Sequence, residues 1–99
     1  MAERPVKIFV VEDNEWYNKL LVYTLSLNPD YEVKSFFTAS DFLKCLDESP
    51  DIVTLDFRLP DATGLEVLKQ IRKENDQIQV ILISEQEDIG MVVTLLKMG

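Results

Sequence analysis

Three short apolar runs of the sequence each end in polar side chains that can do chemistry. These side chains are Glu12, Asp13, Asp56 and Ser84. Carboxylates that are brought together repel one another, so they either share a proton or bind a hard divalent cation, for which Mg²⁺ is the natural candidate. Beside such a cation one carboxylate can act as a nucleophile toward phosphorus, and a hydroxyl can hydrogen-bond the phosphoryl oxygens. The residue types therefore point to magnesium-assisted formation of an aspartyl phosphate.

The elements that must position these side chains alternate between strands and helices. The predicted strands cover Val6 to Val11, Tyr31 to Phe37, Ile52 to Leu55 and Ile78 to Ile83. The predicted helices cover Glu15 to Leu27, Ala39 to Leu46 with Thr38 as N-cap, a segment that begins at Gly64, and Asp88 to Met98. This alternation predicts an α/β fold with right-handed crossovers and a doubly wound parallel sheet. Ligands of such sheets bind outside the carboxyl ends of the strands, where the four polar side chains lie.

Each of these signals is weak when it is taken alone. An acidic pair such as Glu12 and Asp13 is usually a solvated loop or a helix cap, and Ser84 by itself is most often a turn residue. Their joint occurrence at three strand ends is what favours a functional site.

Composition excludes several classes of function. The chain has 99 residues, 46% of them hydrophobic, and a formal net charge of −8, which predicts one globular domain that grips neither nucleic acid nor an anionic membrane. Cys45 is the one cysteine, so no intrachain disulfide can form, and its apolar neighbours predict a structural thiol in a packing position. No apolar run is long enough to span a membrane and no secretory signal is evident, so we expect a cytoplasmic protein.

Four segments resemble one protein family, and the resemblance covers nearly the whole chain from Val6 onward. They are Val10-Val11-Glu12-Asp13-Asn14, the segment Thr54-Leu55-Asp56-Phe57-Arg58-Leu59-Pro60-Asp61-Ala62-Thr63-Gly64, Ile81-Leu82-Ile83-Ser84, and Leu95-Leu96-Lys97-Met98-Gly99. The first resembles the acidic pair of receiver domains of two-component response regulators. The second resembles their phosphoacceptor segment, the third the strand that ends in a switch hydroxyl, and the fourth the end of their fourth helix.

This resemblance implies a fold, a mechanism and partners. The fold would be flavodoxin-like with strand order 2-1-3-4, and it would hold four of the usual five βα units. Asp56 would be the phosphoacceptor and Ser84 the switch hydroxyl. Asp13 would bind Mg²⁺ directly together with Asp56 and the backbone carbonyl of Arg58, and Glu12 would bind it through water. The donor would be a sensor histidine kinase or a histidine phosphotransfer protein, and the domain would be no enzyme.

Two departures from the family pattern matter. Receivers carry a lysine at the end of a fifth strand, whereas this sequence stops at Gly99, and Lys97 belongs to the last helix. Residues 1–99 are therefore expected to form a single receiver domain that is incomplete at its C-terminal end. Loss of such a cation commonly costs about 3 kcal/mol of transition-state stabilisation, so we expect poor activity. The second departure is Glu85, a carboxylate where the family usually has a small residue.

The missing fifth strand has a further consequence for the predicted sheet. It would leave the apolar strand Val80 to Ile83 as an unpaired edge, and such edges invite pairing with another chain. Homodimerisation through this edge, or exchange of strands between two chains, is a hypothesis that follows.

Other functions on a similar sheet fit less well. An aspartate-nucleophile phosphohydrolase needs a second aspartate two residues after the first, and that position holds Arg58. A nucleotide or flavin binder needs a glycine-rich or hydroxyl-rich loop after the first strand, where Glu12 to Glu15 would repel phosphate. The alternative that stays open is a receiver-like interaction module that works without phosphorylation.

Overall fold

A four-stranded parallel sheet forms the centre of the molecule in the computed structural model, which describes residues 4–83. Its strands are β1 (Val6–Val11), β2 (Tyr31–Phe36), β3 (Ile52–Asp56) and β4 (Gln79–Ile83), in the order β2-β1-β3-β4. All three strand pairs are parallel. The predicted fold class and strand order are therefore confirmed, while the helix predicted over Asp88 to Met98 lies outside the described residues.

Helices connect the strands, and side-chain caps set where each helix begins. They are α1 (Glu15–Ser26), α2 (Ala39–Lys44) and α3 (Gly64–Glu74). Asn14 caps α1 by accepting from the amide of Tyr17. Thr38 caps α2 as predicted, and Thr63 forms a reciprocal capping box with Glu66 at the start of α3. These bonds satisfy amides that would otherwise lack partners in the first turn of each helix.

Several predicted element boundaries are wrong by one or two residues; β2 ends at Phe36 rather than Phe37, and β4 begins at Gln79 rather than Ile78. The helix predicted over Ala39 to Leu46 ends at Lys44, and a 3-10 helix over Leu46–Glu48 follows it. The left-handed backbone of Ser49, with φ of 54°, stops the helical path just before Pro50. The third strand includes Asp56, which pairs with Ile83, so the acidic side chain belongs to the sheet itself.

One face of the sheet packs against α2 and α3 through an aromatic cluster. Phe9 of β1, Phe36 of β2 and Phe42 of α2 have ring centroids 5.1 to 6.2 Å apart, in tilted or edge-on arrangements. Val67 and Ile71 of α3 join this buried cluster. Cys45 is half-buried and packs against the same cluster, which confirms the packing position predicted for it.

The helix α1 packs on β1 and β2. Its buried side chain is Asn18, 1% exposed, whereas Leu20 is 41% exposed. The Asn18 amide donates to the carbonyls of Glu12 and Phe36. Hydrogen bonds to the ends of two strands therefore help to fix α1 on the sheet.

The loop between β3 and α3 is tied to its surroundings at three places. The Phe57 amide donates to the Ile83 carbonyl at 3.0 Å, and the Gly64 amide donates back to the Phe57 carbonyl at 2.6 Å. Asp61 accepts from the amides of Ala39 and Ser40 at the start of α2. Those two amides lower the pKa of the Asp61 carboxyl, so it is ionised at neutral pH.

Within residues 4–83, no helix is both long enough and apolar enough to cross a lipid bilayer.

We predict that Gly64→Ala destabilises the protein, although alanine usually favours a helix over glycine. A Cβ at this position would lie 3.0 Å from the Phe57 Cα and 3.4 Å from the Phe57 carbonyl oxygen, and both are backbone atoms. The loop must shift to make room, which we expect to lower the free energy of unfolding by about 1–3 kcal/mol. Urea unfolding measures it, with Gln70→Ala on an exposed position of α3 as the neutral control. Equal stability of wild type and Gly64→Ala would show that the loop accommodates the added Cβ without loss of stability.

Candidate functional site

Three carboxylates meet at the carboxyl ends of the two central strands. Glu12 and Asp13 follow β1, and Asp56 ends β3; the two strands are neighbours, with Val11 opposite Leu55. One carboxylate oxygen from each of the three residues lies within 4.8 Å of the others. The parallel register therefore brings together side chains that lie more than forty positions apart in the sequence.

The three carboxylates differ in exposure and in hydrogen bonding. Glu12 is buried, at 4% exposed, and its Oε2 accepts from the Asn14 amide at 3.0 Å. Asp56 is half-buried, and its Oδ1 accepts from the Arg58 amide at 3.2 Å. Asp13 is exposed. Two of the carboxylates are thus oriented by backbone amides, and the third faces solvent, from which a ligand can enter.

Burial and negative neighbours act together on Asp56. Burial, followed by the carboxyls of Asp13 and Glu12, raises the pKa of Asp56 from 3.8 to about 8, against the opposing effect of the Arg58 amide. Such a shift arises when carboxylates share a site without a compensating positive charge, because the second and third negative charges are costly to form. The site therefore favours either a proton or a cation at neutral pH.

The residues present fit Mg²⁺. This ion takes oxygen ligands at about 2.1 Å, often one or two carboxylates with waters completing an octahedron, so its ligand oxygens lie roughly 3 to 4 Å apart. A spread of at most 4.8 Å among three carboxylate oxygens is close to that spacing. The donor set is all oxygen, as a hard cation requires.

Of the other residues predicted for the site, the structure describes Arg58. Arg58 is exposed and its backbone amide donates a hydrogen bond to the Asp56 carboxylate, while the role predicted for its carbonyl stays a prediction. Ser84, Glu85 and Lys97 lie outside the described residues. Ile83, which immediately precedes Ser84, pairs with Asp56 across β3 and β4.

Sequence reasoning missed two residues that shape the site. Asn14 caps α1 through its side chain and holds the Glu12 carboxylate through its amide. An asparagine one position before a helical pattern is a recognisable cap signal, which could have found it. Asp61 ties the loop after Asp56 to the start of α2, across 22 positions to Ala39. No local pattern signals that long-range contact.

Comparisons with known proteins agree with this geometry. The family model described as the response regulator receiver domain matches residues 8–99. The chain is 33% identical over 96 residues to the chemotaxis protein CheY of Listeria monocytogenes, covering 95% of this chain and 80% of CheY. Among solved structures, the receiver domain of BeF3-activated DrrB superposes with a TM-score of 0.85 at 31% identity, covering 94% of this chain and 77% of that one.

Some relatives are much longer than the segment they share with this chain. The protein-glutamate methylesterase/protein-glutamine glutaminase of Thermotoga maritima is 29% identical over 99 residues, covering 96% of this chain but 28% of that protein. The chain therefore spans a little over a quarter of that relative. What all these proteins share with it is the segment that carries the three carboxylates, and on this evidence the chain belongs to the response regulator receiver domain family.

Proposed function

We propose that this chain accepts a phosphoryl group on Asp56 and thereby acts as the receiver in a two-component phosphorelay. The observation that carries the proposal is the convergence of Glu12, Asp13 and Asp56 at the carboxyl ends of β1 and β3. The donor is a phosphohistidine of a sensor histidine kinase or of a histidine phosphotransfer protein, in the cytoplasm. The phosphoryl group stays on the domain's own side chain, so the domain is a phosphoacceptor and acts on no separate substrate.

The chain's own residues have defined parts in the transfer. A carboxylate oxygen of Asp56 attacks phosphorus, the bond between phosphorus and the donor imidazole breaks, and the imidazole leaves with its electron pair. The Arg58 amide orients the Asp56 carboxylate for this attack. Asp13, Asp56 and the Arg58 carbonyl would hold Mg²⁺ directly, and the buried Glu12 through water. When bound, the cation supplies positive charge that keeps Asp56 ionised and offsets the charge on the phosphoryl oxygens.

The hydroxyl of Ser84 is proposed to report the modification. It directly follows Ile83 in the sequence, and Ile83 pairs with Asp56 across β3 and β4. A hydrogen bond from Ser84 to a phosphoryl oxygen would favour one of two conformations of the segment that follows, a population shift driven by a contact that exists only after phosphorylation.

We predict that acetyl phosphate with Mg²⁺ labels the wild type and that Asp56→Asn reduces labelling to background, because the amide is no nucleophile toward phosphorus. End-point labelling is measured by intact-mass spectrometry, since we expect slow uptake, and beryllofluoride binding is measured in parallel. The matched control is Asp76→Asn, an exposed aspartate in the loop before β4, which should label like wild type. If the wild type shows no labelling and binds no beryllofluoride, that result would favour an interaction module that works without phosphorylation.

We also predict that in metal-free buffer the acidic cluster lowers the free energy of unfolding by an amount that depends on pH. With a pKa near 8 for Asp56 against an ordinary 3.8, the folded chain keeps a proton that the unfolded chain has released. Stability contributed by this group is therefore complete below about pH 4 and is lost as the pH rises toward 8. Asp56→Asn should remove that loss and raise the free energy of unfolding at pH 8 by about 1–2 kcal/mol, a value that allows for solvent screening.

Urea unfolding in EDTA at pH 5 and pH 8 measures this difference. Added Mg²⁺ should stabilise the wild type more at pH 8 than at pH 5, since the metal competes with the proton. Asp76→Asn again serves as the control, and its pH dependence should match that of the wild type. An unchanged pH dependence in Asp56→Asn would show that the three carboxylates do not repel one another in the folded chain.

A homodimer that pairs through β4 is the proposed assembly of this chain. Within residues 4–83, β4 pairs with β3 alone, and Ile81 is 52% exposed. We predict a concentration-dependent shift from monomer to dimer in light scattering. Ile81→Lys should abolish this shift, because a charged side chain on an edge strand opposes its pairing with another chain. Leu27→Lys, which changes an exposed leucine just after α1, should leave the shift in place. A strictly monomeric wild type across concentration would count against the dimer.

A further inference from the structure

Asn18 occupies the most buried position of α1, although its side chain is polar. It is 1% exposed and follows the first turn of the helix, whereas the aliphatic side chains of Leu21 and Leu25 on the same helix are only half-buried. Burial of an amide is costly unless both of its hydrogens find acceptors. Here both do, since Nδ2 donates to the Glu12 carbonyl at 2.9 Å and to the Phe36 carbonyl at 3.1 Å.

These two carbonyls stand at the carboxyl ends of β1 and β2, where the strand pairing stops. The Glu12 amide donates to the same Phe36 carbonyl at 3.0 Å. Both backbone groups of Glu12 are therefore engaged, its amide by the neighbouring strand and its carbonyl by Asn18. The peptide that joins Glu12 to Asp13 is consequently fixed by a side chain of α1.

Asn18 also holds the residue on the other side of Asp13. Its backbone amide donates to the Asn14 carbonyl at 2.8 Å, and the Asn14 amide donates to the Glu12 carboxylate at 3.0 Å. The two residues that flank Asp13 are thus held by the backbone and the side chain of one residue. Because Asp13 is exposed, its place relative to Asp56 depends on these flanking residues more than on packing around it.

We propose that Asn18 is a positioning residue for the cation site: its amide fixes the Glu12–Asp13 peptide so that both carboxylates face Asp56. This inference rests on the proposed function, in which that site holds Mg²⁺. Asn18 is placed to touch neither the metal nor the phosphoryl group, and it acts through the backbone of the ligands. Groups that orient metal ligands in this way typically change metal affinity roughly 10- to 100-fold when they are removed.

The test compares Asn18→Leu with Leu25→Ala. Leucine is close to asparagine in size and donates no hydrogen bond, so the Glu12 carbonyl loses its buried partner. Leu25→Ala weakens the packing of α1 at its far end and touches no carbonyl of the site. Urea unfolding ranks the two variants in stability, and isothermal titration calorimetry with MgCl₂ measures binding by the full 99-residue chain. We expect a Kd for Mg²⁺ raised roughly 10-fold or more by Asn18→Leu and changed less than about twofold by Leu25→Ala.

A second readout separates positioning from general loosening. In metal-free buffer, hydrogen exchange of the Glu12 and Asn14 amides should speed up in Asn18→Leu at a pH where both variants are folded, while the amides of β3 keep their wild-type protection relative to global stability. Should Asn18→Leu fail to fold, Asn18→Ser retains one donor and should show an intermediate Kd. A wild-type Kd in either folded Asn18 variant overturns the inference.

Failure of the inference differs from failure of the proposed function. If wild type binds Mg²⁺ and Asp13→Asn abolishes binding while Asn18→Leu binds normally, the site is real and Asn18 is merely structural. If wild type itself binds no Mg²⁺, the proposed site falls and the role of Asn18 falls with it. Equal weakening by Asn18→Leu and Leu25→Ala would assign the effect to loss of stability and would also overturn the inference.

Discussion

The constraint on which this structure depends is the repulsion among three carboxylates that a parallel sheet forces together. The register of β1 and β3 sets Val11 opposite Leu55. Glu12 and Asp56, the residues that directly follow them, are therefore neighbours. Hydrophobic burial on the sheet faces stabilises that register, since a slip of one residue would turn Phe9 and Val53 out of the core. The core therefore holds an unfavourable arrangement in place, in which burial and then the neighbouring carboxyls of Asp13 and Glu12 raise the pKa of Asp56.

Backbone hydrogen bonds keep this cluster in a defined geometry despite the repulsion. Amides of Asn14 and Arg58 each donate to one of the carboxylates, and the Arg58 amide opposes the upward shift of the Asp56 pKa. The carboxylates of Glu12 and Asp56 are thus kept from turning away toward solvent. A site built in this way is preorganised for a cation, because little rearrangement is needed when positive charge arrives.

Much of the fold and part of the site could be predicted from the sequence, because both depend on local patterns. Apolar runs such as Val6 to Val11 indicate buried strands, and the rule that ligands bind at the carboxyl ends of parallel strands pointed to Asp13 and Asp56. The place of Asn18 could not be read in the same way. A polar residue on a helix is normally taken for the solvent side, and the burial of Asn18 is favourable only because the Glu12 and Phe36 carbonyls lie across from it. The end of the 3-10 helix that follows α2 likewise depends on the left-handed backbone of Ser49, which is uncommon for a residue other than glycine.

The loop after Asp56 connects the cluster to one other strand, β4, and to the helix α2. The Phe57 amide donates to the Ile83 carbonyl at the end of β4, and Asp61 accepts from the first amides of α2. A change in the charge or position of the Asp56 carboxylate acts on the Arg58 amide first, since that amide is its direct donor. Phe57 directly precedes Arg58 in the chain, and Asp61 lies three positions after it. Phe57 is anchored by its backbone amide and Asp61 by its side-chain carboxylate, so displacement of the loop must either break one of these bonds or move β4 or α2 with it. The bonds that anchor the loop are therefore the ones through which a change at Asp56 can act on β4 and α2.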